Sequence, residues 1–278
     1  MLKQTEEIFI TIATCSKSNY SELLKTCTSL RSLTHHLFYV RFQHLLILSC
    51  YDRSNVKSVQ DICNSYSDNV ETKIIETEPK GISHAFNLAL NLAQGYYIAF
   101  LNAGDKIECN TECLNSFKEI IKNLHSSQSS NRNIVYYFDI LTSGKTQLFN
   151  RRVIYPKLLN PFHFLKMGNP INHQATLYPT KLARRYPYPE VFIGMDYSVN
   201  LNMILDGIEF HKLLGIFVEY DITGISAKMP FQRLYENFKN FNLKAFKYRF
   251  FILIFISWII LPFLMIRSLT QKVTYSLR

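Results

Sequence analysis

The residues with most capacity for chemistry lie in the stretch K-G-I-S-H-A-F-N-L-A-L-N-L-A-Q-G-Y-Y-I-A-F-L-N-A-G-D, residues 80–105. Lys80 and Gly81 make a turn that can bring backbone N–H groups and a cation to a phosphate. At the other end, Asn102 and Asp105 offer hard oxygen ligands. Magnesium and manganese take such oxygens, often with only one or two carboxylates and phosphate oxygens beside them. Between the two ends, Ile82, Ala85, Phe86, Ala89 and Ala93 recur at helical spacing, Gly95 stops the helix, and 96–101 is an apolar run of strand length. Ligands of open α/β sheets bind beyond the carboxyl ends of strands, so the pattern suits a metal–diphosphate site with Asp105 as ligand. Each residue also has a plainer role. Asp105 can cap the next element, Lys80 can be a solvated loop lysine, and Asn87 can bond locally.

Such residues need a sheet behind them, and the flanking sequence predicts one. Residues 8–13 read as a buried strand. Asn19 followed by Glu22 has capping-box spacing for a helix over 21–33. Strands are expected at 44–48 and 72–75, helices at 56–66 and 111–124. This alternation argues for a mostly parallel α/β sheet covered on both faces. It is Rossmann-like, but no G-x-G-x-x-G follows the first strand, which argues against a dinucleotide site. Further on, 126–133 is a polar loop, 134–141 and 147–153 are strand-like around the turn at Ser143 and Gly144, and Pro156, Pro161 and Pro170 break the next stretch. A helix over 195–205 ended by Gly207 and a short strand over 217–221 follow.

The run 80–105 resembles the donor-site half of the family-2 glycosyltransferases, whose pattern is K-G-I-x-x-A-x-N and then A-x-G-x-Y-I-x-F-L-N-x-x-D. The resemblance implies a GT-A fold, with a mixed, mostly parallel sheet and helices on both faces. It implies an inverting transfer of sugar from a nucleotide-diphosphate sugar, a UDP-sugar foremost, with a divalent cation (Mn²⁺ or Mg²⁺) on Asp105. Lys80, Gly81, Asn87 and Asn102 fall on its donor motif, and Thr14, after the first strand, falls where the base or ribose is met. The second strand departs most. The usual D-G-G-S-T-D is S-C-Y-D-R-S here, so Ser49 stands for the base-reading Asp and Asp52 is the carboxylate placed to compensate. Asn102 and Gly104 also stand where many relatives carry Asp, and His84 and Phe86 depart from the usual helix residues. His173 and Gln174 resemble the family's H-Q pair, on a strand at the acceptor side. Gly194-Met195-Asp196-Tyr197 resembles the motif whose carboxylate is the general base, and 223–226 matches a late turn. A histidine among apolar residues is otherwise a core residue, and a carboxylate at a helix start is otherwise a cap.

The C-terminus changes character. Phe231, Leu234, Tyr235, Phe238, Phe241 and Ala245 form an apolar stripe, with Arg233, Lys239, Lys244 and Lys247 mostly on other faces. Residues 250–266 then carry no charge over about 17 positions, the lower limit for a span. Arg249 and Arg267 bracket them and can snorkel to headgroups. A basic amphipathic helix feeding an apolar segment is an attachment design. The chain therefore divides into a catalytic domain over 1–228 and a membrane-attachment segment over 229–278, at the cytoplasmic face of a bacterial-type membrane. A span kinked at Pro262, a shallow insertion and a buried core helix all stay open.

The net charge of +10 in 278 residues fits an anionic membrane surface or substrate, because no nucleic-acid-binding motif accompanies it. The six cysteines lack C-x-x-C spacing, so reduced thiols are expected; Cys109 and Cys113, four apart, have no partner set for zinc. The short apolar run 8–13 behind a charged start does not make a secretory signal. The expected role is extension of a glycan or lipid-linked acceptor for surface polysaccharide. The alternatives are a non-catalytic nucleotide-sugar-binding or partner-binding subunit, for which Ser49, Asn102, Gly104 and Phe86 speak, and a nucleotidyltransferase. The last needs a glycine-rich loop after the first strand, and residues 15–19 hold no glycine.

Overall fold

The computed structural model describes residues 8–17, 19–49, 53–125, 133–143, 151–166, 168–190, 193–221 and 229–276. The first part is a run of strand–helix units: β1 (Ile8–Ser16), α1 (Tyr20–His36), β2 (Arg41–Leu48), α2 (Arg53–Cys63), β3 (Val70–Glu76), α3 (Ile82–Leu92) and β4 (Tyr97–Asn102). Asn19 caps α1 by accepting the Glu22 N–H, as its spacing predicts. β1 pairs in parallel with β2 and β4, and β2 with β3. The carboxyl ends therefore align, with Cys15 beside Asn102 and Ser16 beside Leu48.

The second part continues the same sheet with mixed directions. It contains β5 (Lys106–Ile107), α4 (Thr111–His125), β6 (Val135–Ser143), β7 (Arg151–Val153), β8 (Thr176–Pro179), α5 (Thr180–Ala183), α6 (Met195–Leu205) and β9 (Phe210–Asp221). The sheet order is β3-β2-β1-β4-β8-β6-β9-β5, with β7 paired to β6. β8 runs antiparallel to both β4 and β6, while β6 and β9 are parallel. The two-residue β5 and the four-residue β8 carry no usable periodicity, and the sequence does not announce them.

Side-chain alternation along the strands feeds two cores. Phe42, Leu46 and Leu48 of β2 pack with α1, α2 and α4, and Leu45 and Ile47 pack with α3 on the other face. A third core joins Phe164 and Leu165 to Tyr197 and Leu201 of α6 and to two C-terminal helices, α7 (Pro230–Lys247) and α8 (Phe251–Ser276). The apolar segment read at 250–266 is thus a longer helix, of which residues 251–270 have the length and composition to cross a membrane.

Gly95 has a different role from the helix stop read in the sequence. α3 ends at Leu92 with Ala93 as its cap. A Cβ on Gly95 would lie 2.5 Å from the Thr11 backbone N and 2.7 Å from the Ile10 carbonyl carbon. Glycine is needed because two backbones touch. The Thr11 hydroxyl accepts the Gly95 N–H at 2.9 Å and itself donates to Gln43 Oε1, which also accepts the Gln94 N–H. This buried network fixes where β4 starts, and hence where Asn102 and Asp105 arrive.

Candidate active site

Beyond β4 the chain turns at once. The Asp105 N–H donates to the Asn102 carbonyl, and Asp105 Oδ2 accepts the Asn102 N–H at 2.8 Å. Gly104 takes φ +108°, the left-handed value that such a turn assigns to glycine. Its N–H donates to Thr26 Oγ1 on α1 at 3.0 Å. The capping role open to Asp105 is therefore filled within its own turn, and the carboxylate is buried. Glu22, in the first turn of α1, comes over the same turn, its Oε2 3.2 Å from where a Gly104 Cβ would stand. The sequence reading took Glu22 only as a capping-box residue.

Thr14 and Ser49 lie on the same edge of the sheet. Thr14 is fully buried with its hydroxyl 3.0 Å from His44 Nε2, and Ser49 is half-buried, its N–H donating to Ser16. Asp52 and residues 223–226 lie outside the described residues. Lys80 is exposed and ion-paired with Glu78 at 2.8 Å. Gly81 caps α3 with φ +100° and no side-chain cap bond. Asn87 is spent on a loop: its Nδ2 donates to the Tyr188 carbonyl at 2.9 Å and its Oδ1 accepts the Tyr188 N–H at 2.8 Å. These bonds are structural but not local, since Tyr188 is 101 residues away in the chain.

His173 and Gln174 do not sit on a strand. Asn172 caps a 3-10 turn over His173–Ala175, and β8 begins only at Thr176. The turn packs against β4. Ile98 pairs with Tyr178 in antiparallel register, so the turn precedes the stretch of β8 that pairs with β4. The His173 ring also meets the edge of Phe86, with centroids 5.5 Å apart.

Asp196 completes the group. Its Oδ2 accepts Asn169 Nδ2 at 2.8 Å and lies 3.2 Å from His173 Nδ1. A carboxylate only accepts, so this bond sets the proton on Nδ1. Nε2 of His173 is buried with no partner among the described residues. Burial pushes the Asp196 pKa up, but the bonds from His173, Asn169 and the Tyr197 N–H outweigh it and hold the carboxyl below the usual range. The side chain is still 24% exposed. Behind it, Tyr178 Oη donates to Asn200 Oδ1, and Asn200 Nδ2 donates to Asn169 Oδ1. This chain of amides was not legible in the sequence, because buried asparagines in irregular segments follow no period.

Three elements aim Asp196. Gly194 opens α6 in the left-handed region, and a Cβ there would collide with Asn237 Oδ1 of α7 at 2.2 Å. Glu236, also on α7, accepts the Ile193 N–H at 2.8 Å. Lys244 donates to the Ser198 carbonyl and hydroxyl, and burial together with the Lys247 charge pushes its pKa down to about 8. From the donor half, Ser83 of α3 lies 3.1 Å from Met195 Sδ. The start of α3, the 173–175 turn and the start of α6 therefore meet one another, and the turn packs against β4.

Three other side-chain clusters lie outside this group. Buried Asp139 is held by Arg152, Lys212 and the Tyr155 N–H, which satisfies it structurally. Cys27, His44 and Cys63 bring ligand atoms within 4.8 Å of one another, and Cys109 Sγ lies 3.5 Å from Cys113 Sγ. Thiolate sets suit softer ions than magnesium or manganese.

No protein-family profile matches this sequence, and no curated protein matches it. Solved structures do. Mannosyltransferase PcManGT from Pyrobaculum calidifontis, in complex with GDP-Man and Mn²⁺, gives a TM-score of 0.61 at 11% identity, covering 99% of this chain and 76% of that one. TarS 1–349 from S. aureus, in complex with UDP, gives 0.59 at 15% identity, covering 86% and 65%. GalNAc-T7 with UDP, GalNAc and Mn²⁺ gives 0.50 at 10% identity, covering 78% and 44%. The likeness shows the GT-A fold of glycosyltransferases. This chain spans about 65% of the TarS 1–349 chain it matches.

Proposed function

We propose that the protein is an inverting glycosyltransferase that moves a sugar from a nucleotide-diphosphate sugar to a hydroxyl of a glycan or lipid-linked acceptor. The observation that carries this reading is the placement of Asp196. It is a recessed, ionised and still accessible carboxylate, fixed by Asn169 and by His173, whose turn packs against β4; this fold takes its ligands beyond the carboxyl ends of its parallel strands. The GT-A likeness supports a nucleotide-sugar as donor, since the neighbours were solved with UDP and GDP-Man.

In the proposed reaction the acceptor hydroxyl passes its proton to Asp196 as its oxygen attacks the anomeric carbon. The carbon–oxygen bond to the diphosphate breaks on the opposite side and its electron pair leaves with the phosphate. One displacement inverts the carbon, with no enzyme-bound sugar. A group that fixes both position and protonation of the base at neutral pH supplies orientation as well as basicity. In this reading Ser49 and Asn102, with Lys80 and Gly81 at the start of α3, would meet the donor.

A divalent cation fits the β4 turn. Asp105 and the Asn102 side-chain oxygen are hard, and the set is sparse, which suits an ion that brings phosphate and water as its remaining ligands. When bound there it would neutralise charge on the departing diphosphate. The Mn²⁺ in PcManGT and GalNAc-T7 supports that expectation.

Attachment to the cytoplasmic face of a membrane belongs to the same proposal, and the structure favours lying over spanning. Ser257 in α8 donates to Asn242 of α7 at 3.0 Å. Arg267 and Ser268, near the far end of the apolar stretch, line a cleft with Pro230 and Arg233 at the start of α7. A helix fastened to the domain at its middle and near its end lies along it. Its other side exposes Phe251, Ile252, Phe255, Trp258, Ile259, Phe263 and Ile266, a lipid-facing stripe flanked by basic residues.

The decisive experiment is a donor panel with Asp196→Asn. Transfer should fall by about 10²–10⁴-fold, while thermal stabilisation by UDP or GDP with Mn²⁺ persists. Turnover near that of the unaltered protein would refute the assignment of the base.

A further inference from the structure

Three cations converge where the 3-10 turn Pro161–Lys166 meets the C-terminal helix pair. Lys166, Arg233 and Arg267 line an open cleft together with Gly168, Leu264 and Ser268, and among the described residues no carboxylate lines it. Burial pushes the Arg233 pKa down and the Arg267 charge adds to this, while Tyr220 and Asp196 act in the opposite sense. Gathering like charges in a half-enclosed space costs free energy that an anion can offset. Guanidinium forks match phosphate oxygens in geometry as well as charge.

The cleft borders the candidate base. Gly168 lines it, and the next residue, Asn169, donates to Asp196 at 2.8 Å. Lys166 and Asn169 are three residues apart, so they are separated by at most about 10 Å of chain. Leu264 lines the cleft wall, and Phe263 and Ile266 project from the same end of α8 into the surroundings. A ligand that satisfies all of these features has a doubly or multiply charged head, an apolar tail and a reacting group about one sugar away from the head.

We propose that this cleft receives the phosphate or diphosphate of a lipid-linked acceptor, with the lipid chain along α8 and the acceptor hydroxyl turned toward Asp196. This deepens the glycosyltransferase reading and rests on it. Arg233 and Arg267 hold the phosphoryl oxygens, and Lys166 holds the side nearer the base.

The test is co-sedimentation of the full chain with phosphatidylcholine vesicles carrying polyprenyl diphosphate. Phosphatidylglycerol vesicles of equal surface charge and free inorganic pyrophosphate serve as the other arms. The protein should prefer the polyprenyl diphosphate vesicles, and Lys166→Gln and Arg267→Gln should each weaken that preference about tenfold. Both variants should keep stabilisation by UDP with Mn²⁺, which shows that they fold and bind donor. Equal binding to phosphatidylglycerol, or pyrophosphate binding as tight as the lipid, would overturn the proposal by making the cleft a general anion site. Variants that bind polyprenyl diphosphate like the parent would overturn it too. If the unaltered protein gains no stability from any nucleoside diphosphate, the failure lies with the underlying reading instead.

Discussion

At Asp196 burial and hydrogen bonding pull the carboxyl in opposite directions, and the bonds win. A carboxylate whose folded pKa is depressed adds stability above its unfolded pKa of about 3.9 and loses it as pH falls through the lower folded value. Its proton affinity is therefore set by burial against the bonds from His173, Asn169 and the Tyr197 N–H. Replacing His173 by Phe keeps a ring against Phe86 but removes the donor, so burial should prevail and the acidic limb of kcat/KM should move to higher pH. A limb that stays in place would show that His173 does not tune the base. Asp196 and His173 were legible in the sequence because each sits in a short local motif. Asn169 and Asn200 were not, because their role exists only once a broken segment folds back over α6. The Asn87 position matched its motif, yet its amide is turned to Tyr188, a loop that no local pattern connects with it.

The elements of the first half were legible with small errors at their ends, since parallel strands buried on both faces read as apolar runs and their helices as amphipathic ones. What the sequence misassigned was the reason for a glycine. Gly95 is a contact between two chains of the sheet unit rather than a helix stop, and that follows from tertiary approach alone. Gly95→Ala should therefore cost about 1–3 kcal/mol and lower the melting temperature by about 2–4 °C for each kcal/mol. An unchanged melting temperature would mean the strands can part without penalty. In the second half the prolines and the short β8 hid the antiparallel crossing that brings the His173 turn against β4. The H-Q pair was expected on a strand and lies on a 3-10 turn, because a turn of three residues has no periodicity to read.

For the molecule as a whole, the C-terminal helices act in two directions at once. The outer face of α8 presents Phe255 and Trp258, 66% and 59% exposed, to whatever surrounds the protein. Burying a large apolar side chain in lipid is worth about 1.5–3 kcal/mol. Changing both to Asp should reduce vesicle partitioning by more than tenfold without unfolding the domain, as read by sedimentation and by melting in detergent-free buffer. Partitioning that survives the double change would move the attachment elsewhere. The inner face of α7 meanwhile grips the start of α6 through Glu236, Asn237 and Lys244.

That grip decides where the chain can be shortened. Removing the oily tail after residue 249 discards α8 and leaves Glu236, Asn237 and Lys244 in place to hold the loop before α6. Cutting at 229, where composition alone would draw the line, takes away the brace on the proposed proton acceptor. Of two shortened proteins equally free of detergent, only the longer one keeps the reacting group aimed.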